Sequence, residues 1–219
     1  MDAVASSSAM IGAERAAAYR LSAELLLYPD DRNRTTIEVW RQALRHAPAA
    51  VRSGPETFLA HPRAWDRDEY LSVLELAPPC PLYLGAYLYE EPSTCRGAGT
   101  SQRNSYMMEL KAAYEHFGLD LGGGELADYL PVMLEFLAIT FDAGPADEDG
   151  VRARFLDLGV RRALPEMLAA LERHESPYAT LIQALVAVVD DDLADCAAPT
   201  GAGGVPAAGH VPVKLEVPS

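Results

Sequence analysis

Glu125-Leu-Ala-Asp-Tyr-Leu-Pro-Val-Met-Leu-Glu-Phe-Leu-Ala138 sets three carboxylates, Glu125, Asp128 and Glu135, into an otherwise apolar and aromatic run. Read as a helix, positions 125, 128, 132 and 135 share one face, because steps of three and four residues return to the same side. From Leu130 to Phe141 nearly every residue except Glu135 and Thr140 is apolar, which predicts a helix buried on most sides. A carboxylate in such a place is costly unless something pairs with it. Two readings follow. In one, Asp128 caps the helix start ahead of Pro131, and Glu135 forms an internal salt bridge to Arg96, Arg103 or Lys111. In the other, Glu125, Asp128 and Glu135 line a groove for a basic or amide-rich peptide.

The flanking sequence reads as further helices punctuated by proline and glycine. Glu14 to Leu27 is helical, with Leu21, Leu25 and Tyr28 on one stripe, and Pro29 ends it. Thr35 to Ala47 follows and stops at Pro48. A looser stretch punctuated by Pro55 and Pro62 leads to Asp66–Leu76, then to the rigid Ala77–Pro81 break. Pro81 opens an aromatic segment, Leu82-Tyr-Leu-Gly-Ala-Tyr-Leu-Tyr89. Gln102 to Phe117 is amphipathic, with Gly118 as its stop. Residues 152–158 and 165–174 make one or two helices. Ser176-Pro177 caps a last helix running to about Leu193. Asp190-Asp-Asp192 lies where the helix dipole disfavours negative charge and reads as a solvated, fraying end. With no alternating strand, the expectation is an all-α, single-domain bundle of about seven to nine helices. It occupies residues 13–195, between a flexible N-terminus (1–12) and a disordered Gly/Pro/Ala-rich tail (196–219).

Composition narrows the function. The chain has 219 residues, and 32 acidic against 18 basic residues give a net charge of −14. That opposes nucleic acid and membrane insertion and favours a basic partner. Three widely spaced cysteines imply reduced thiols in a cytoplasm, and five scattered histidines offer no metal-ligand spacing. No nucleophile elbow, P-loop or dinucleotide fingerprint appears, so no catalytic residues and no cofactor or metal are assigned. Tyr83 and Tyr87 are helically spaced, which suits core packing and equally an aromatic anchor at a binding surface.

Taken in order, several segments resemble a known family: Leu21-Ser-Ala-Glu-Leu-Leu-Leu-Tyr-Pro-Asp30, Pro81-Leu-Tyr-Leu-Gly-Ala-Tyr-Leu-Tyr89, Arg96-Gly97, Tyr106-Met-Met-Glu-Leu-Lys-Ala-Ala-Tyr114, Phe117-Gly-Leu119, Glu125 to Leu137 and Ser176-Pro-Tyr178. The set is similar to the nitrate reductase delta-subunit type of molybdoenzyme assembly chaperone, in the wider TorD/DmsD/NarJ family, over about residues 14–193. The resemblance implies a cytoplasmic helical chaperone without catalytic activity. Such a protein binds the N-terminal segment of a molybdenum-containing catalytic subunit and aids cofactor insertion before membrane attachment or export. The family's E-L-P-D-H-L-P-x-x-L-E signature falls on Glu125, Leu126, Ala127, Asp128, Tyr129, Leu130, Pro131, Leu134 and Glu135. Ala127 stands where proline is usual and Tyr129 where histidine is usual. The expected client-binding set is Glu125, Asp128, Tyr129, Leu130, Pro131, Leu134 and Glu135 with Tyr83, Tyr87 and Arg96, in a monomer or weak dimer. The alternative is a small helical metal-dependent hydrolase using Glu125, Asp128 and Glu135.

Overall fold

The computed structural model describes residues 10–90, 102–122, 124–141, 147, 150–196 and 213–214, and it is an all-α bundle. Arg96, the Arg96-Gly97 turn, Cys95, residues 1–9 and all of the 197–219 tail except Val213–Lys214 lie outside the described residues.

Three helices form the centre: α1 (Gly12–Leu25), α7 (Leu130–Ile139) and α10 (Tyr178–Cys196). Helix α1 packs on α7, on α10 and on α2 (Arg34–Ala43), and α10 also carries α3 (Ala49–Ala60) and α9 (Leu164–Arg173). The inward residues are the apolar ones that the periodicity marks, among them Leu21, Leu25, Phe136, Leu137, Leu185 and Val189, each almost fully buried. Helix α6 (Gln102–His116) closes one side, and Phe136 links it to the core through Tyr114 and Phe155, with ring centroids 5.0 and 4.3 Å away. Helix α6 ends as expected at Gly118, which takes φ 69°, a left-handed conformation that costs glycine little.

The short helices α4 (Arg67–Tyr70) and α8 (Val151–Arg154) each run on into a wider π-helical turn, Leu71–Glu75 and Phe155–Arg161. The aromatic segment after Pro81 yields only one turn of helix, α5 (Gly85–Leu88). A two-residue strand, β1 (Leu119–Asp120), pairs in parallel with β2 (Val213–Lys214), an element the sequence pattern did not suggest.

Two expectations are corrected here. The stretch around Pro55 is not loose: α3 runs through Pro55, since Gly54 and Pro55 are buried against α10. A methyl on Gly54 would collide with the Thr180 carbonyl and sit 2.5 Å from Ala184 Cβ, so only glycine permits this crossing. Nor is Asp190–Asp192 a solvated end throughout: Asp190 is exposed, but its two neighbours are paired. Asp192 is 3% exposed and holds Arg152 in a two-pronged pair at 2.8 and 2.6 Å while accepting the Tyr19 hydroxyl at 2.7 Å. Asp191 accepts from Arg15 Nε at 2.7 Å. Burial opposes the charge on Arg152, but the Asp192 hydrogen bonds outweigh it and raise its pKa. These pairs staple the end of α10 to α1 and α8.

Candidate functional site

Residues 125–129 do not continue the helix. Its N-cap is Tyr129 with no side-chain cap bond, and Pro131 occupies the first turn. Asp128 is therefore not the cap of α7, and the shared face of 125, 128, 132 and 135 does not exist, because 125 and 128 precede the first turn. The geometry is instead a crossing of two chain segments. The Leu84 N–H donates to the Asp128 carbonyl and the Leu130 N–H to the Leu82 carbonyl, both at 2.9 Å, making an antiparallel bridge between Tyr83 and Tyr129. The Leu82 carbonyl thus satisfies an N–H that the start of α7 would otherwise orphan.

Asp128 caps the neighbouring helix from across this bridge. Its side chain is 0% exposed, and Oδ2 accepts the Gly85 N–H at the head of α5 at 3.0 Å. Arg103 Nη2 of α6 stands 3.6 Å from the same oxygen. Oδ1 has no hydrogen-bond partner among the described residues. Burial raises the Asp128 pKa, and the Gly85 N–H and Arg103 pull it only partway back. Gly85 is required by this contact: a Cβ there would lie 2.6 Å from Asp128 Oδ2.

Glu125 and Glu135 part company. Glu125 is exposed and accepts the Tyr83 hydroxyl at 2.9 Å, while the Tyr83 and Tyr129 rings pack at 5.2 Å. Burial, helped by Glu125 and Glu75, pushes the Tyr129 phenol up to about 12, against a Tyr70 hydrogen bond that lowers it. Glu135 points the other way, towards α1. Burial raises its pKa, Arg20 opposes the rise and Glu24 adds to it. The expected partners Arg103 and Lys111 are not the ones it faces: Arg103 stands by Asp128, and Lys111 lies 4.0 Å from Glu115. Arg20 in turn stacks over Trp40 at 5.0 Å. The three carboxylates do not converge, which removes the arrangement that the hydrolase alternative required. Among the described residues no group of three or more His, Cys, Asp or Glu is placed to hold a metal ion.

Of the expected client-binding set, the structure brings Tyr83, Glu125, Asp128 and Tyr129 together. Leu130, Pro131 and Leu134 are core residues with no accessible face, and Tyr87 is half-buried with its hydroxyl on the Pro81 carbonyl at 2.9 Å. What the sequence reading missed is the groove beside Glu125. About 410 Å³ in volume, it lies between α6 and the 119–127 loop, with Met107, Met108, Leu121 and Leu126 on its apolar side and Lys111, Glu115, Asp120 and Glu125 around it. Leu126 is 51% and Met108 65% exposed, so two large apolar side chains of one groove face solvent. A helical reading of the 125–138 run hides that Leu126 is borne on a loop.

Comparison with known proteins places the chain in a family. Over 96 residues the chain is 32% identical to a probable nitrate reductase molybdenum cofactor assembly chaperone, NarW, of Escherichia coli (strain K12); the match covers 44% of this chain and 38% of that protein. Residues 35–184, well over half of the chain, match the model of the family described as nitrate reductase delta subunit. This span includes the Tyr83–Tyr129 bridge, Asp128 and the acidic–apolar groove, and the chain belongs to the nitrate reductase delta subunit family.

Proposed function

We propose that this protein is an assembly chaperone for a molybdenum-containing oxidoreductase of the nitrate reductase type. It acts in the cytoplasm without catalysis of its own. It holds the N-terminal segment of the catalytic subunit and keeps that subunit open to cofactor insertion. The observation that carries the reading is family membership over residues 35–184. The relative named as a nitrate reductase molybdenum cofactor assembly chaperone supports it, through a match limited to 38% of that protein's length.

The surface chemistry suits the task. A basic, partly apolar segment is attracted by a chain of charge −14 and buries its apolar face on Met108, Leu121 and Leu126 beside Glu115 and Glu125. The contact surface is accordingly the Tyr83–Glu125–Leu126 edge and its groove. Asp128, Tyr129 and the buried Leu130, Pro131 and Leu134 hold that edge in place. No described helix is long and apolar enough to cross a membrane. The test is the molybdenum content of a nitrate reductase-type catalytic subunit produced with and without this chain. A several-fold gain with the chain is expected, and equal content in both preparations would overturn the reading.

A further inference from the structure

Leu76 lies outside both the core and the groove and is 67% exposed, more than Met108 or Leu126. Its loop is nevertheless firmly held. The Leu76 N–H closes the π-helical turn on the Leu71 carbonyl at 2.7 Å, and the Cys80 N–H returns to the Val73 carbonyl at 3.1 Å. Between these bonds Ala77 takes φ 49°, a left-handed conformation that residues with a Cβ rarely adopt, and Pro78 and Pro79 each fix one dihedral. Strain of this kind gathers at binding sites, where the surrounding structure holds it in place. The loop adjoins the Tyr83–Tyr129 bridge. Tyr70, the residue before the π-helical turn, hydrogen-bonds the Tyr129 hydroxyl, and the turn ends at Glu75. Six residues beyond Leu76 the chain reaches Leu82, whose carbonyl accepts the Leu130 N–H. Glu75 and Glu125 are both exposed, and both carboxylates help to raise the Tyr129 phenol. The bridge thus has two acid–leucine pairs beside it, Glu75–Leu76 and Glu125–Leu126. Two acids and two leucines around one aromatic pair complement a segment with basic and apolar side chains and repel an acidic one. A second copy of this chain, itself at −14, lacks the matching charge.

We propose that the Glu75–Leu76–Ala77 loop is a second arm of the peptide-holding surface, receiving an apolar side chain of the held segment on Leu76 and a basic one at Glu75. This deepens the peptide-holding reading, on which it rests, by extending the contact from the groove across the Tyr83–Tyr129 bridge. Because Ala77 and the two prolines set the loop in advance, little conformational freedom is lost when the segment docks. Covering a solvent-exposed leucine contributes enough for about a 10-fold gain in affinity.

The probe is a fluorescently labelled synthetic peptide with the N-terminal sequence of a nitrate reductase-type catalytic subunit, titrated by anisotropy into the full chain. Leu76→Ser is expected to weaken binding about 10-fold with Tm unchanged, since the side chain already stands in water. Glu75→Gln, nearly isosteric and exposed, is expected to weaken it about 3-fold at low salt, a loss that fades at high salt. When the basic residues of the probe are replaced by norleucine, Glu75→Gln and the unaltered chain are expected to bind it alike. Ala77→Gly relieves the strain and loosens the loop. Weaker binding without a lower Tm is expected of it, an outcome that a purely structural loop would not give. Unaltered affinity in Leu76→Ser and Glu75→Gln overturns the proposal, as does a Glu75→Gln loss that persists with the norleucine probe. If Leu126→Asp weakens binding while the loop variants bind like the unaltered chain, this inference fails and the peptide-holding reading stands. A probe that binds no form of the chain overturns both.

Discussion

Asp128 concentrates the physics of the site in one side chain. It is wholly buried, carries one backbone hydrogen bond from Gly85 and stands near one arginine. Asp128→Ala leaves the Gly85 N–H and Arg103 without that acceptor and is expected to cost about 2–3 kcal/mol in urea unfolding. Asp128→Asn keeps an acceptor oxygen and is expected to cost less than half as much. Glu135 gives the pH dependence. Its folded pKa, like that of Asp128, is raised above the ordinary carboxylate value of about 4. The folded state therefore binds more protons than the unfolded one, and stability falls as pH rises from the ordinary value through the raised one. Glu135→Gln is expected to flatten this fall, seen as a smaller gain in Tm on acidification from about pH 7 to about pH 5. The need of these two acids for partners was legible in the sequence; the partners were not. Gly85 lies 43 residues from Asp128, and Arg20 is brought to Glu135 only by the packing of α1 on α7.

At the scale of elements, the apolar stripes and proline stops predicted most helices to within a few residues. They failed where tertiary contact overrides local preference. Pro55 reads as a breaker, yet α3 continues because Gly54 brings it against α10. Gly54→Ala is expected to force that crossing apart and to cost about 2 kcal/mol by denaturant unfolding, the scale of an overpacked core. The acidic Asp190–Asp192 end was unreadable for a similar reason, since its cations come from α1 and α8. Removing Arg152 leaves the buried Asp192 carboxylate with the Tyr19 hydroxyl and no cation. Arg152→Ala is expected to destabilise the protein by about 3–5 kcal/mol, with a matching loss of Tm. The 125–129 segment failed differently: its three- and four-residue spacing imitates a helix, while the chain there makes a turn, closed by the Tyr129 N–H on the Leu126 carbonyl, that leads into the Tyr83–Tyr129 bridge.

For the whole molecule, the helical class followed from the sequence and the family was marked by the order of its motifs, but the groove was not. It is assembled from α6, β1 and the loop before α7, and its exposed Met108 and Leu126 carry no periodic signal. In the proposed function the acidic balance of the chain meets its client there, where Lys111, Glu115, Asp120 and Glu125 lie around apolar surface. The most direct test is calorimetric titration of the full chain with the N-terminal peptide of a nitrate reductase-type catalytic subunit, compared with Leu126→Asp and Glu125→Lys. One-to-one binding is expected, weakened about 10-fold or more by each substitution, roughly 1.4 kcal/mol, with Tm unchanged. Absence of binding, or binding that neither substitution alters, would contradict the account.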